Sequence, residues 1–238
     1  YALGINFRCQ HLSWYSMEAE AKRDYPASFS AHSPWYRTYQ AMEGHFTRLG
    51  KIISEGKEIR DILVIHPMES VWSVRYRIST QTVPAVQELH SEFVALANRL
   101  LAENLDYDYG DEELLRRHAK VQGKNLTVGL AEYKTVILPK LKTIRSSTLE
   151  LLEQFAENGG NVFYIESLPE FVDAVRSDRA KGLMQKFHPL SLERISGHSK
   201  SIGRRVSMTA PDGKEVEPLL YHLSENEKDL SLFVCNVG

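Results

Sequence analysis

Asp61-Ile62-Leu63-Val64-Ile65 constrains the fold more than any other stretch of the chain. It is a short, continuous apolar run stopped by His66-Pro67, as expected of a central parallel strand covered on both faces. Strand and helix alternate from there. Thr82 is placed to cap a helix with Pro84 in its first turn, and Val86, Leu89, Phe93, Leu96, Ala97 and Leu100 recur at spacings of three and four. Leu126-Thr127-Val128 and Thr135-Val136-Ile137-Leu138 read as two further strands, the second ended by Pro139. Ser147 with Glu150 predicts a capping box for a helix with Leu151, Leu152 and Phe155 inward and Gly159-Gly160 at its C-terminus. Asn161 to Ile165 reads as the next strand, and Pro169 to about Gln185 as a helix. This succession predicts an α/β fold: an open, mostly parallel sheet with helices on both faces. With only four or five strands available, the flavodoxin-like order is favoured over the Rossmann order.

The flanks differ. Asn6 to Tyr39 is crowded with aromatic and histidine residues, broken by Pro26 and Pro34, and reads as a long irregular loop. Pro34 suits the first turn of a helix capped by Ser33 and running to about Ser54. After residue 190 the pattern becomes antiparallel: Arg205 to Met208 and Leu219 to His222 flank a Pro211-Asp212-Gly213 turn, and Leu230 to Cys235 is another strand. Three regions result: 1–60, 61–190 and 191–238. The chain starts at Tyr1 rather than Met and stops at Gly238 directly after a strand, so both ends read as cut from a longer protein.

Composition excludes several function classes. The 29 Lys and Arg nearly balance 31 Asp and Glu, without the basic excess of a nucleic-acid binder. No apolar run approaches the ~20 residues of a membrane span, and no signal peptide opens the chain. Two cysteines, Cys9 and Cys235, make neither a disulfide framework nor a metal-ligand spacing.

Motifs for cofactors are missing too. His66-Pro67-Met68-Glu69-Ser70 follows the first strand where a dinucleotide fingerprint would need glycines, and it is too bulky for a flavin phosphate loop. No P-loop and no Gly-x-Ser-x-Gly elbow occurs. Neither a cofactor nor a metal is expected. His66, Glu69 and Glu166 should lie at carboxyl ends of strands, where open α/β sheets bind ligands; they are either polar groups of a crevice or ordinary strand ends. Asp106, Asp108, Asp111, Glu112 and Glu113 lack EF-hand spacing and read as a strand end followed by acids at a helix N-terminus. In the aromatic segment, Trp14 and Trp35 either stack on sugar rings, with His11, Glu18, Asp24 and His32 adding hydrogen bonds, or anchor a loop-rich core. Glu18 and Glu20 are carboxylates, but glycoside hydrolysis needs two positioned across a cleft.

The order of several motifs resembles a known family. Gly4-Ile5-Asn6, His11, Trp14-Tyr15-Ser16-Met17, Lys22-Arg23-Asp24-Tyr25-Pro26, Trp35-Tyr36 and Arg48-Leu49 resemble the end of a glycoside hydrolase (β/α)8 barrel. Multidomain bacterial enzymes of the α-L-rhamnosidase and β-galactosidase type carry such a segment. Asp61 to Pro67 with Trp72, Leu105 to Tyr109, Tyr133 to Pro139 and Gly159 to Val162 resemble the domain that follows the barrel. That domain is similar in fold to class I glutamine amidotransferases and is called the trimerisation domain in β-galactosidases. Leu220-Tyr221-His222 and Phe233 to Asn236 resemble the start of the next β-sandwich. The resemblance implies a non-catalytic portion of a carbohydrate-degrading enzyme, bracing or oligomerising its barrel, with His11, Trp14, Trp35 and Glu18 lending sugar contacts. Leu138-Pro139-Lys140-Leu141 stands where an amidotransferase has its cysteine nucleophile, so glutaminase activity is not implied. Two alternatives from other classes are a stand-alone flavodoxin-like ligand-binding module and a pure oligomerisation module. Localisation depends on a leader outside this chain.

Overall fold

In the computed structural model, which describes residues 1–14, 16–18, 30–75, 83–183, 185–216 and 219–237, the chain divides into two units. One is formed by residues 1–59 and 221–235, the other by 60–220 and 236–238. Tyr15, Glu20, Asp24, Tyr25 and Thr82, singled out in the sequence, lie outside the described residues.

In the first unit, 3-10 turns at Ser30–His32 and Tyr36–Thr38 lead into helix α1, Tyr39–Ser54. The helix therefore starts after Pro34 rather than at it, and Ser33 is not its cap. The Ser33 carbonyl instead accepts from the Tyr36 N–H at 3.1 Å, closing a 3-10 turn that the fixed proline φ suits equally well. The residue at the α1 cap position, Thr38, spends its hydroxyl on the Trp35 carbonyl at 2.7 Å. Tyr1 stacks on Phe46 of α1 with ring centroids 5.5 Å apart, and the Arg8 guanidinium lies 4.2 Å from the same ring. Strand β1, Lys57–Glu58, follows Gly56. Gly56 has φ +90°, and a Cβ there would sit 2.4 Å from the Glu225 carbonyl oxygen, so glycine is required.

The second unit opens on β2, Ile62–Ile65, followed by α2 (Met68–Val74), α3 (Pro84–Ala102), β3 (Tyr107–Gly110) and α4 (Glu112–His118). An antiparallel meander comes next: β4 (Ala119–Gln122), β5 (Asn125–Val128) and β6 (Ala131–Tyr133). Then come β7 (Thr135–Leu138), β8 (Thr143–Ile144), α5 (Ser146–Glu157) and β9 (Asn161–Ile165). The short strands β10 (Phe171–Val172) and β11 (Val175–Arg176) precede β12 (His188–Leu190) and α6 (Ile195–Ile202). The first unit is completed by β13 (Leu219–Glu225) and β14 (Leu230–Asn236), which form a three-stranded sheet with β1, in the order β1-β13-β14.

The main sheet has five parallel strands in the order β12-β9-β7-β2-β3. Its direction of growth reverses between β2 and β7. Both faces of β2 are buried, as its unbroken apolar run requires. Leu63 and Ile65 join Val136, Leu138, Val162 and the α5 residues Leu149, Leu152 and Phe155 in one core. Ile62 and Val64 join Ile137, Phe163, the α3 residues Leu96 and Leu100 and the α6 residues Ile195 and Ile202 in the other. Two-residue periodicity thus sends alternate side chains to helices on opposite faces.

Several elements differ from the sequence-based expectation. Leu126 to Val128 belongs to the meander, where its neighbours across the ladder are Ala119 to Val121 and Ala131 to Tyr133, and not to the parallel sheet. The helix expected over 169–185 is the β10–β11 hairpin followed by a 3-10 turn at Lys181–Leu183. Asp173 and Ala174 both take positive φ, 50° and 61°, the geometry of a two-residue hairpin turn whose twist matches its strands. The fifth sheet strand, β12, was not legible because it contains Pro189; as an edge strand it tolerates the missing N–H. Arg205 to Met208 is not a strand. A single Thr209–Glu215 bridge closes the Pro211-Asp212-Gly213 turn, and Arg205 is instead held by Asp61 at 3.0 Å. Nor does Ser147 cap α5: the helix starts one residue earlier, and its first N–H is taken by Asp173. Among the described residues, no helix is long and apolar enough to cross a membrane.

Candidate binding site at the carboxyl ends of the strands

Beyond the ends of β2 and β7 the second unit carries a pocket of about 440 Å³, lined by Glu69, Trp72, Ser73, Thr143, Ile144, Arg145, Asp173 and Ala174. This is the region where open α/β sheets place ligands, and the volume suits a small molecule. Three elements build it. Helix α2 begins as soon as His66-Pro67 ends β2, bringing Glu69, Trp72 and Ser73 to one wall. Strand β8 supplies a buried floor of Thr143 and Ile144. The β10–β11 turn supplies Asp173 and Ala174 opposite.

Hydrogen bonds hold these pieces in register. The fully buried Ser70 hydroxyl donates to the Thr143 carbonyl at 3.0 Å and accepts from the backbone N–H groups of Lys142 (2.9 Å) and Thr143 (3.1 Å). One donor and two acceptor sites are all a hydroxyl has, so α2 is riveted to β8 by a saturated group. Across the floor, the Thr143 hydroxyl accepts from the Ala174 N–H at 2.9 Å, and Asp173 Oδ1 accepts from the Ser146 N–H at 3.0 Å. The left-handed conformations of Asp173 and Ala174 are thus held by the surrounding bonds, as backbone strain at a site must be. Ser70→Ala should take this partner from the buried Thr143 N–H and carbonyl and from the part-buried Lys142 N–H, and lower stability by about 2 kcal/mol. Urea denaturation checks this; an effect under ~0.5 kcal/mol, typical of a surface change, would argue against the rivet.

Arg145 organises the charges behind the pocket. Its Nε donates to Glu69 at 2.7 Å, its Nη1 to Glu113, and its backbone N–H to Glu112 at 2.9 Å. Arg116 and Arg117, each at 2.7 Å, together with Arg145, hold the Glu113 carboxyl well below the usual range. Glu112 is different. Only 1% exposed, it is pushed by burial up to about 7, with the Glu69 charge adding to the rise; the Thr148 hydroxyl and the Arg145 N–H oppose it. Thr148 stands close enough to ease ionisation, yet Glu112 Oε1 has no hydrogen bond of good geometry. The acidic cluster accordingly splits into roles. Asp111 caps α4 by accepting from the Leu114 N–H at 2.9 Å, Glu112 and Glu113 sit in the first turn, and Asp106 and Asp108 bind Arg60 at 3.0 and 3.1 Å. Among the described residues, no group of three or more His, Cys, Asp and Glu side chains is arranged to hold a metal ion.

Of the crevice candidates, only Glu69 lines the pocket. His66 packs edge-on against Phe93 (5.2 Å) and Tyr109 (6.0 Å) instead. Glu166, at φ +59°, pairs with Lys140 at 3.3 Å, beside Glu88 and Glu92 at 3.0 and 2.8 Å. These three carboxylates hold the Lys140 ammonium charged, above its ordinary range. The charged residues that sequence reasoning missed at the pocket are Arg145 and Asp173, which come from segments read as a helix start and a helix interior. The aromatic candidates belong to the first unit. There His11 Nδ1 lies 3.0 Å from the Leu12 carbonyl, the Trp14 carbonyl lies 2.8 Å from His32 Nε2, and the Glu18 N–H donates to the Ser16 hydroxyl at 3.1 Å. Trp35 is 59% exposed and is not a core anchor.

No family model matches the sequence, and no curated protein is similar to it in sequence. Among solved structures, the fold is similar to that of a rhamnosidase. This rhamnosidase, from Novosphingobium sp. PP1Y, is 12% identical with a TM-score of 0.53, over 87% of this chain and 20% of that one. An exo-carrageenase GH42 from Bacteroides ovatus is 11% identical at a TM-score of 0.49, over 81% and 24%. A β-galactosidase from Bacillus circulans sp. alkalophilus is 18% identical at 0.42, over 60% and 19%. At these identities the likeness to the rhamnosidase is one of fold. The chain spans about a fifth to a quarter of the length of these structures.

Proposed function

We propose that this chain is a non-catalytic portion of a glycoside hydrolase acting in carbohydrate degradation. In this reading residues 1–60 are the last segment of the barrel, 61–190 an amidotransferase-like α/β domain that braces or oligomerises it, and 191–238 the entry into a β-sandwich. One observation carries the proposal: the fold is similar to that of a rhamnosidase over 87% of this chain but over only 20% of that one. The strand order supports the finer assignment of the middle region. Numbered along the chain, the sheet runs 2-1-3-4-5, the order of flavodoxin-like doubly wound sheets.

The pocket chemistry supports a non-catalytic role. Hydrolysis of a glycoside needs one protonated and one ionised carboxyl group facing each other across a cleft. Neither carboxylate that lines the pocket is placed as a general acid: Glu69 is ion-paired with Arg145, and hydrogen bonds from Ser146 hold the Asp173 carboxyl below its ordinary range. At the end of β7, where an amidotransferase-like domain would need a thiol nucleophile, Lys140 is bound by three carboxylates. Barrel-derived sugar contacts are assigned to His11, Trp14, Trp35 and Glu18. The natural reading frame that contains this sequence should hydrolyse at least one aryl rhamnoside or galactoside, and the 238-residue chain should hydrolyse none. Turnover by the chain itself, or none by the complete protein, would overturn the proposal.

A further inference from the structure

We propose that the pocket between α2, β8 and the β10–β11 turn is a binding site for a neutral sugar ring. Glu69 and Asp173 outnumber Arg145 in the lining, and Arg145 already serves Glu69 and Glu113. A phosphate, nucleotide or flavin phosphate would therefore meet net negative charge at the place where it needs cationic donors. The Ser146 N–H at the start of α5, which would otherwise attract an anion, is taken by Asp173. The site is built to repel anions and to accept a neutral molecule.

The shape and the donors then narrow the class. Trp72, on the α2 wall, is 58% exposed. Its indole offers apolar surface on the α2 wall of the pocket. Opposite stand groups that bond hydroxyls. Asp173 accepts from Ser146 and keeps lone pairs to spare, and Arg145 has spent two of its five N–H donors on carboxylate side chains; on the Trp72 wall, the Ser73 hydroxyl donates to the Ser70 carbonyl at 2.8 Å and can still accept. A ligand with one apolar C–H face and a rim of vicinal hydroxyls satisfies both sides at once, and a pyranose is such a molecule. The frame is stiff before any ligand arrives, because Ser70, Thr143 and Asp173 bolt the walls and floor together. Preorganisation lowers the cost of binding.

The test is a titration of the chain with D-glucose, D-galactose and D-mannose, followed by saturation-transfer NMR and by the indole N–H signals. The chain has three tryptophans, so the Trp72 signal is identified by its loss in Trp72→Ala. At least one sugar should bind and shift that signal. Trp72→Ala should weaken binding about tenfold or more, the size of effect that removing a stacked aromatic platform produces, and Trp72→Phe should recover part of it. Trp72 is exposed, and circular dichroism should show both variants folded. Asp173→Asn provides a second variant, which should weaken binding while leaving the turn in place. Absence of binding for all three sugars would overturn the site. So would binding that shifts only the Trp14 or Trp35 signal, or tighter binding of flavin mononucleotide, inorganic phosphate or choline. A failure here does not touch the accessory role, which needs no ligand and is decided by the hydrolysis assay.

Discussion

Gly160→Ala is expected to destabilise the second unit by about 3 kcal/mol, near the upper end for overpacking a core. Gly160 joins α5 to β9, and its N–H closes the helix on the Phe155 carbonyl at 2.9 Å. A Cβ there would lie 2.1, 2.3 and 2.4 Å from three ring carbons of Phe155. That ring is fully buried among Leu149, Leu152, Val136 and Val162, so it has nowhere to turn. Either the ring leaves its rotamer or the α5–β9 connection shifts, and both disturb the sheet's central pair, β7 and β9. Gly123→Ala is the control. It takes φ +58°, yet a Cβ would touch nothing within 4 Å, so it should cost only about 1 kcal/mol of backbone strain. Urea denaturation of both variants checks the contrast. If Gly160→Ala proved as mild as Gly123→Ala, the close packing at the helix end would be refuted.

Glu112→Gln is expected to remove most of a pH dependence that runs against the usual direction. Burial raises the Glu112 carboxyl from an unfolded value of 4.5 to about 7. Between those values the folded chain binds a proton that the unfolded chain has released. Stability from this group is therefore full below about pH 4.5 and declines as pH rises through about 7. At 1.36 kcal/mol per pH unit, the decline amounts to about 3 kcal/mol. Asp106, pushed by burial up to about 6 against the pull of Arg60, adds a smaller decline of the same sign over a lower window. Glu113, held below the ordinary range by its arginine partners, and Asp61, held there against burial by Arg205 and Lys134, act oppositely, and only as pH falls below about 4. Glutamine keeps an oxygen for the Arg145 N–H and cannot ionise. Unfolding free energies at pH 5 and pH 8 should converge in Glu112→Gln and differ in the parent chain. An unchanged difference would mean that Glu112 is already solvated.

Much of the sheet was legible in the sequence because its central strands are covered on both faces. Ile62–Ile65, Thr135–Leu138 and Asn161–Ile165 are apolar runs with no second use in a folded chain, and all three are strands of the parallel sheet. The α3 stripe was legible for the same reason: Leu89, Leu96 and Leu100 recur at helical spacing and are buried. The acids around Asp111 also read correctly, since a helix N-terminus attracts carboxylates within its own first turn. The elements that were misread carry weaker local signals. Phe171 to Arg176 folds as a hairpin because Phe171 and Val172 pair with β8, some 28 residues back in the chain. β12 exists because β9 offers it an edge.

The candidate site followed the same division. His66, Glu69 and Glu166 all stand just beyond strands, so position along the sheet could not separate them. Packing did: an aromatic pair took His66, Lys140 took Glu166, and only Glu69 reached the pocket, held by an arginine 76 residues away. By itself, the sequence determined which segments must be buried, because apolar burial depends on residue type and local spacing. Only the tertiary structure decided which polar groups meet, because a contact between Glu69 and Arg145, or between Asp173 and Ser146, is made by chain crossing and leaves no periodic mark in the sequence.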